Sequence, residues 1–431
     1  MQETTKEKTE IKISISTSTS EKPKTAGKEV AEKLLKKIDS KPNIVFLFCT
    51  SHYEKIEGGF QDLLNGVWDV LPQDVILIGG TVAGFINNKG CYIKGVTALA
   101  ISCPNMHISI GCGHNTKRSP KKAAKQCVKS LKKDLSNKFK NKLLFSLISG
   151  SELTSEKQSG GGVLTTSHTT ARLIAMLLSF MQKILQKGFD RNEQVLYEIV
   201  KKLPKFDIIY GAAINAATYM TNYQFLNKEV LTQSAVCAGI ETDIPFNLNY
   251  SISSELLEPE FEITKITKDR KIIKEINNKP AFKEIQNLMG WDEESLENMK
   301  WLDFVNKHPL AFKKDNEVFL RPMMMIMADY IGFIGPIEKN KAYIAKLNTL
   351  DIVKSFDKLL KIDDPYFGFF VSCIAQQAYL GIKVFEVHEK MQNYFNEKPF
   401  LLIYTAAEGI KKNGEDLAYL NETTASAIFH R

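Results

Sequence analysis

Cys49 and His52 stand close together in the segment Cys-Thr-Ser-His that follows a short apolar run, Ile44–Phe48. A thiol beside an imidazole is the raw material of nucleophilic catalysis, because the imidazole lowers the thiol pKa and turn amides stabilise the oxyanion. The sequence supplies no third residue to orient His52. A cysteine closing an apolar strand most often packs as a small hydrophobe. Cys373 closes a similar run, Phe367–Val371, with no histidine near it, since His388 falls on a helix-like stretch. Catalysis is therefore not expected, and both cysteines are taken as lining a binding site. Cys112-Gly113-His114, with Cys103 and His107 nearby, lacks the C-x-x-C, H-E-x-x-H or paired-His spacing of a metal site. Ser159 to Gly162 lacks the Lys-Ser/Thr that completes a phosphate-binding P-loop. Neither metal nor cofactor is expected.

The elements that would position these residues repeat. Ile44–Phe48 is followed by Phe60, Leu63, Leu64 and Val67 at helical spacing, then Pro72 and a second apolar run, Val75–Ile78, ending in Gly79-Gly80. That order predicts a parallel strand-helix-strand crossover, with Val96–Ser102 as a further strand. The carboxyl end has the same parts: Phe367–Val371, a helix over Val384–Tyr394, a strand at Phe400–Tyr404, and a last strand at Thr423–Phe429. A third copy lies between, with Leu143–Ile148, helices over Thr170–Leu185 and Asn192–Leu203, and the strand Phe206–Tyr210. The expected fold class is α/β: duplicated β-α-β units forming mixed sheets flanked by helices, with an antiparallel α+β layer in the carboxy-terminal half and a larger sheet shared by the copies. The expected division is a disordered tail at 1–24, a domain at 25–255 holding copies at about 43–115 and 143–241, and a domain at 256–431. The last would comprise an antiparallel layer at 256–362 and a closing unit at 363–431.

Composition narrows the function classes. The chain has 431 residues, 44% hydrophobic and 25% charged, which excludes wholesale disorder. Its 57 Lys+Arg against 49 Asp+Glu leave +8 spread along the sequence, a weak argument for nucleic acid. The most apolar windows are interrupted by Lys183 or by Arg321 and Asp329, so no membrane span is expected. The amino terminus, MQETTKEKTE, lacks the basic start and apolar core of a signal peptide. A cytoplasmic protein with reduced thiols is expected. The Lys-rich segment 117–142, with Ala123, Ala124, Cys127 and Leu131 at helical spacing, predicts an amphipathic surface helix.

With these residues in hand, the chain resembles the FIST family of intracellular signal-transduction proteins. The resemblance is carried by IVFLFCTSHY at 44–53, VILIGGTVAGFI at 75–86, VTALAIS at 96–102, HISIGCGHN at 107–115, IIYGAAINAA at 208–217 and YQFLNKEVL at 223–231. In the second half ITKITKDRKIIKEINNKPA at 263–281, HPLAF at 308–312, FFVSCIAQQAYLG, FLLIYTAAEG and LNETTASAIF carry it. It implies a stand-alone sensory module, without an F-box, that binds a small molecule and signals through a partner protein. Two departures stand out. Gln376-Gln377 replaces a frequent Arg-Gly pair, and Asn421-Glu422-Thr423 replaces a common Asn-Gln-Thr.

In open parallel sheets ligands sit beyond the carboxyl ends of the strands. The candidate ligand-binding residues are therefore Cys49, Thr50, His52, Gly79, Gly80, Thr81, Gly211, Asn215, Cys373, Gln376, Thr405, Glu408 and Asn421. Small polar tips suit an amino-acid-like ligand, with Glu408 receiving its amino group. The rival readings are a ligand-free interaction scaffold, docking through the Lys-rich helix and the 256–362 layer, and a cysteine-dependent enzyme acting through Cys49.

Overall fold

The computed structural model describes residues 11–152, 163–165, 168–216, 221–291, 307–315 and 317–431. The first unit runs β1 (Lys12–Ser18), α1 (Pro23–Ile38), β2 (Ile44–Thr50), α2 (Gly59–Trp68), β3 (Ile76–Val82), the hairpin β4 (Gly84–Asn87) and β5 (Gly90–Tyr92), β6 (Val96–Ser102) and β7 (Met106–His114). The second runs α3 (Pro120–Lys133), β8 (Asn141–Ser149), β9 (Val163–Thr165), α4 (His168–Ile184), α5 (Asn192–Lys202), β10 (Asp207–Ala213), the hairpin β11 (Tyr223–Leu226) and β12 (Glu229–Thr232), β13 (Ser234–Thr242) and β14 (Phe246–Ile252).

An antiparallel layer follows. It contains β15 (Glu255–Ile266), β16 (Ile272–Ile276), β17 (Lys279–Pro280), α6 (Ala281–Met289), β18 (Leu310–Lys314), β19 (Glu317–Arg321), β20 (Met323–Met327), β21 (Tyr330–Phe333) and β22 (Lys341–Lys346). The closing unit is α7 (Thr349–Leu359), β23 (Pro365–Cys373), α8 (Ile374–Leu380), α9 (Val384–Phe395), β24 (Phe400–Thr405), the hairpin β25 (Glu408–Lys411) and β26 (Ala418–Leu420), and β27 (Thr423–His430).

The three units do not share one sheet, which corrects the expectation. Each centres a six-stranded sheet on a parallel pair, β2/β3, β8/β10 and β23/β24, with an antiparallel strand of the same unit beside it, β6, β13 and β27, and an outer strand, β1, β7 or β14, that precedes the unit's first helix. Each sheet is then finished by a hairpin from another unit. The second unit's β11-β12 joins β3, the closing unit's β25-β26 joins β10, and the first unit's β4-β5 joins β24. The segments that follow β3 and β24 run into two of these lent hairpins, β4-β5 and β25-β26.

The exchange is closed by three backbone hydrogen bonds where the parallel pairs end. Ala83 N–H donates to the Tyr404 carbonyl (2.9 Å), Ala406 N–H to Ala212 (3.0 Å) and Ile214 N–H to Thr81 (3.1 Å). In every case the donor lies two residues beyond its own unit's acceptor, so the three tips form a pseudo-threefold ring. Beneath it the inward faces of β2, β8 and β23 supply Phe46, Phe48, Phe145 and Phe369, whose rings meet at 5.3 to 6.0 Å, within the range of favourable edge and tilted packing.

The segment expected as a disordered tail forms β1 over Lys12–Ser18, while residues 1–10 lie outside the described residues. Ser14, Ser16 and Ser18 are the reason. Their hydroxyls donate to the Leu34 carbonyl, the Val30 carbonyl and the Glu29 carboxylate, so burying them leaves no unmet polar group, and Ile15 packs into the core. The Lys-rich segment forms the amphipathic α3, with Ala123, Ala124, Cys127 and Leu131 buried. In the antiparallel layer β15 and β16 pair with Ile263 opposite Ile276, and α6 ends at Gly290 in the left-handed region.

Gly79 marks how tightly the first sheet is assembled. A Cβ there would run into the Leu47 carbonyl on the neighbouring strand. Gly79→Ala is expected to lower unfolding free energy by about 1–3 kcal/mol, as overpacking in a filled interior does. A urea denaturation midpoint equal to the parent's would refute this.

Candidate functional site

The thirteen sequence-derived candidates fall into three groups. The first stands at the end of β2. Cys49 is fully buried among the side chains of α1 and α2, and burial raises its thiol pKa well above the ordinary value. His52 turns elsewhere: its Nδ1 lies 2.8 Å from Thr50 Oγ1, and its ring packs on Tyr53 at 3.8 Å. Burial pushes the His52 pKa down, and Thr50 Oγ1 also accepts the Gly95 N–H. This arrangement fixes the turn and engages the imidazole with Thr50.

The second group sits where the first two units meet. Thr81 Oγ1 accepts the Tyr223 N–H at 3.0 Å, and Asn215 Nδ2 donates to Glu54 Oε2 at 2.7 Å and to the Thr221 carbonyl at 3.0 Å. The Tyr223 hydroxyl donates to the other Glu54 oxygen at 2.8 Å. Glu54 and Tyr223 were not singled out from the sequence. The three glycines serve packing: at Gly80 a Cβ would strike the Tyr223 carbonyl and Leu147, and at Gly211 it would touch Thr405 and Val371 at 3.0 Å. Gly80 and Thr405 are buried, so the strand tips expected to face a solvent-reachable hollow are closed there. Two surface clefts among the described residues lie elsewhere. One of about 310 Å³ is bordered by Lys41, Asp74 and His107, and one of about 420 Å³ by Lys33, Lys37, Lys89 and Tyr92.

The third group converges. Cys373 caps α8 and is buried, with the backbone of Ala375 and Glu422 and the Glu408 carboxyl close to its sulfur. Gln376 Oε1 accepts from Ser372 (3.0 Å) and Thr424 (2.7 Å), while its amide donates to the Glu422 carbonyl (3.0 Å). Thr405 Oγ1 donates to the Ala407 carbonyl at 3.1 Å. Thr423 donates to Glu408 Oε2 at 3.0 Å.

Next to this satisfied network stand groups with nothing to bond. Glu408 Oε1, both oxygens of Glu422 and both polar atoms of the Asn421 amide are buried without a hydrogen-bond partner among the described residues. Their residues are all 0% exposed. An unmet buried polar group costs roughly 1–3 kcal/mol, so five such atoms together are a conspicuous departure from ordinary interiors. Glu422 sits at a positive φ, 59°, just before β27.

Burial governs the charge of this cluster. It raises Glu422 to about 8, and raises Glu408 well above the ordinary carboxyl value, with the Glu422 charge adding to the effect and the Thr423 hydrogen bond opposing it. At neutral pH Glu422 is therefore mostly the neutral acid. In that form it carries a donor as well as an acceptor, as does the amide of the glutamine that the resemblance implies at this place, though with one N–H fewer to offer. Glu422 was noticed in the sequence only as a departure; the signal that could have found it is a lone acid beside Asn421 at the edge of an apolar strand. The described residues include no group of three or more His, Cys, Asp or Glu arranged to hold a metal ion.

Residues 43–279, more than half of the chain, match the FIST N domain. The chain belongs to the FIST family. This is a family of sensory and signalling domains, and the match runs from β2 of the first unit through the second unit into the start of the antiparallel layer. Comparison with curated proteins returns no match. Among solved structures, a cyanuric acid hydrolase described as an innovation by structural concatenation is similar at 10% identity, over 56% of this chain and 72% of its own, with a TM-score of 0.22. A likeness that low carries no argument about this FIST protein. No helix of the described residues is long and apolar enough to cross a membrane.

The Glu422 carboxyl makes stability depend on pH with a definite sign. Its pKa rises on folding from 4.5 to about 8, so the folded chain holds a proton the unfolded chain has lost. The contribution is fully present below 4.5 and is lost as pH climbs through about 8. Glu422→Gln is expected to remove about 1.4 kcal/mol per pH unit from the downward slope of unfolding free energy across that interval. Urea melts at several pH values check it, and an unchanged slope contradicts the assignment.

Proposed function

We propose that this FIST protein is a non-enzymatic sensor whose small-molecule ligand, an amino acid or a related primary amine, is held by Glu408, Asn421 and Glu422, and whose bound state is read by a partner protein. Family membership supports a sensory role. The observation that carries the ligand class is the set of unpartnered buried atoms: three carboxyl oxygens and one amide. Ionised, the carboxyls accept from a protonated amine, and the Asn421 amide, with one acceptor and two donors, suits the carboxylate or amide end of the same molecule. Gln376, Ser372 and Thr424 do not compete for the ligand, because they satisfy one another.

The cluster is sealed, so the ligand enters when a covering element moves. That motion is what a partner can detect. Binding an ammonium group displaces protons from the carboxyls, so affinity rises with pH toward and through about 8.

Thermal-shift measurements over a panel of amino acids and primary amines test the reading. A ligand at 100 times its dissociation constant adds roughly 2.7 kcal/mol of stability. The shift is expected to be larger at pH 8.5 than at pH 6.5, and to vanish in Glu408→Gln and Asn421→Ala. A panel without a hit, or a hit indifferent to both substitutions, sinks the proposal and leaves the scaffold reading in its place.

A further inference from the structure

On the outer face of the second sheet, α3 lies against β7 and β13 at unusually short range. Gly111 and Gly113 make this possible: a Cβ on Gly113 would collide with the Ala123 carbonyl, and one on Gly111 with the carbonyl of Cys127, its Sγ only 3.0 Å away. Backbone therefore touches backbone where side chains would ordinarily hold helix and sheet apart. The contact carries Cys127 of α3 onto Cys237 of β13, and the two sulfurs stand 2.9 Å apart, 110 residues distant in sequence. Both cysteines are free and buried. Such a separation is longer than the roughly 2.05 Å of a disulfide, so the two remain thiols in hydrogen-bond contact.

We infer that Cys127 and Cys237 form a dithiol that a small peroxide converts to a disulfide, tying α3 to the second sheet. Cys237 is the sulfur prepared to attack. Cys127 donates its S–H to it, and Ser146 Oγ lies 3.3 Å away on the next strand. The same hydrogen bond, with burial, raises the Cys127 thiol well above its ordinary pKa, so it keeps its proton while Cys237 reacts first. Cys237 attacks the peroxide, the O–O bond breaks, and a sulfenic acid and one water result. Cys127 then attacks the sulfenic sulfur, an S–S bond forms and a second water leaves. In sum, two thiols and one hydrogen peroxide give one disulfide and two waters, with two electrons passing from sulfur to oxygen.

Burial of the pair keeps bulky disulfides and thiols out. Nothing in this couple depends on the amine-binding cluster, which lies in the closing unit.

The experiment uses the full reduced chain, exposed to hydrogen peroxide at the dose that consumes the half-buried Cys91 and Cys112. The sample is then unfolded, alkylated and digested for mass spectrometry. The expected product is a Cys127–Cys237 linked peptide pair in most molecules, with a raised thermal midpoint and slower amide exchange along α3. Cys237→Ser should lose both the link and the midpoint shift. Two results overturn the inference: Cys127 and Cys237 both alkylating fully after unfolding although Cys91 and Cys112 have reacted, or either one linking to a different cysteine.

Discussion

The ring of backbone hydrogen bonds joining Ala83 to Tyr404, Ala406 to Ala212 and Ile214 to Thr81 is the constraint on which the rest of the molecule depends. Each parallel pair ends with unpaired amide and carbonyl groups in the protein interior, where water cannot satisfy them. Handing a hydrogen bond to the next unit solves this for all three at once. It also sends each chain segment out of its own sheet and into a neighbour's, where the hairpins β4-β5, β11-β12 and β25-β26 cover edges that would otherwise be exposed. The aromatic cluster under the ring and the closed state of the tips at Gly80 and Thr405 both follow from that arrangement.

The same geometry explains why the polar cluster is in the closing unit. In the first unit the residues after the parallel pair are met by Tyr223, Gln224 and Asn215, which complete the hydrogen bonding of Thr81 and Glu54. In the closing unit Asn421 and Glu422 come from the link between β26 and β27, and the described residues offer them no counterpart. One junction is internally complete and the other is not. Physical chemistry penalises the incomplete one unless a molecule completes it. The neutral form of Glu422 limits that penalty in the free protein, because an uncharged acid is far cheaper to bury than a carboxylate.

The units themselves were legible because each parallel strand is a short apolar run bounded by a small or polar residue, with helix-spaced Phe60, Leu63, Leu64 and Val67, or their counterparts, between. The destination of the hairpins was not. GFIN and EGIK are too short to reveal a partner, and pairing across units is a tertiary choice rather than a local one. β1 was hidden for another reason: Ser14, Ser16 and Ser18 look solvated in sequence, and only the α1 carbonyls and the Glu29 carboxylate they meet make them interior residues. Of the candidate site, Cys373, Gln376, Thr405, Glu408 and Asn421 come together, and the residues at the end of β2 do not join them. Order along the chain could not distinguish these cases, because all of them close a strand.

Exchange of hairpins around the ring sets the tempo of biogenesis. A ribosome releases the chain from its amino end, so β4-β5, among the first strands made, waits for β24, which emerges more than three hundred residues later. Contacts so distant in sequence delay assembly, and an unpaired hairpin exposed meanwhile is prone to stick to the wrong neighbour. The apolar Phe85 and Ile86 of that hairpin are the surface a chaperone would have to shield during synthesis.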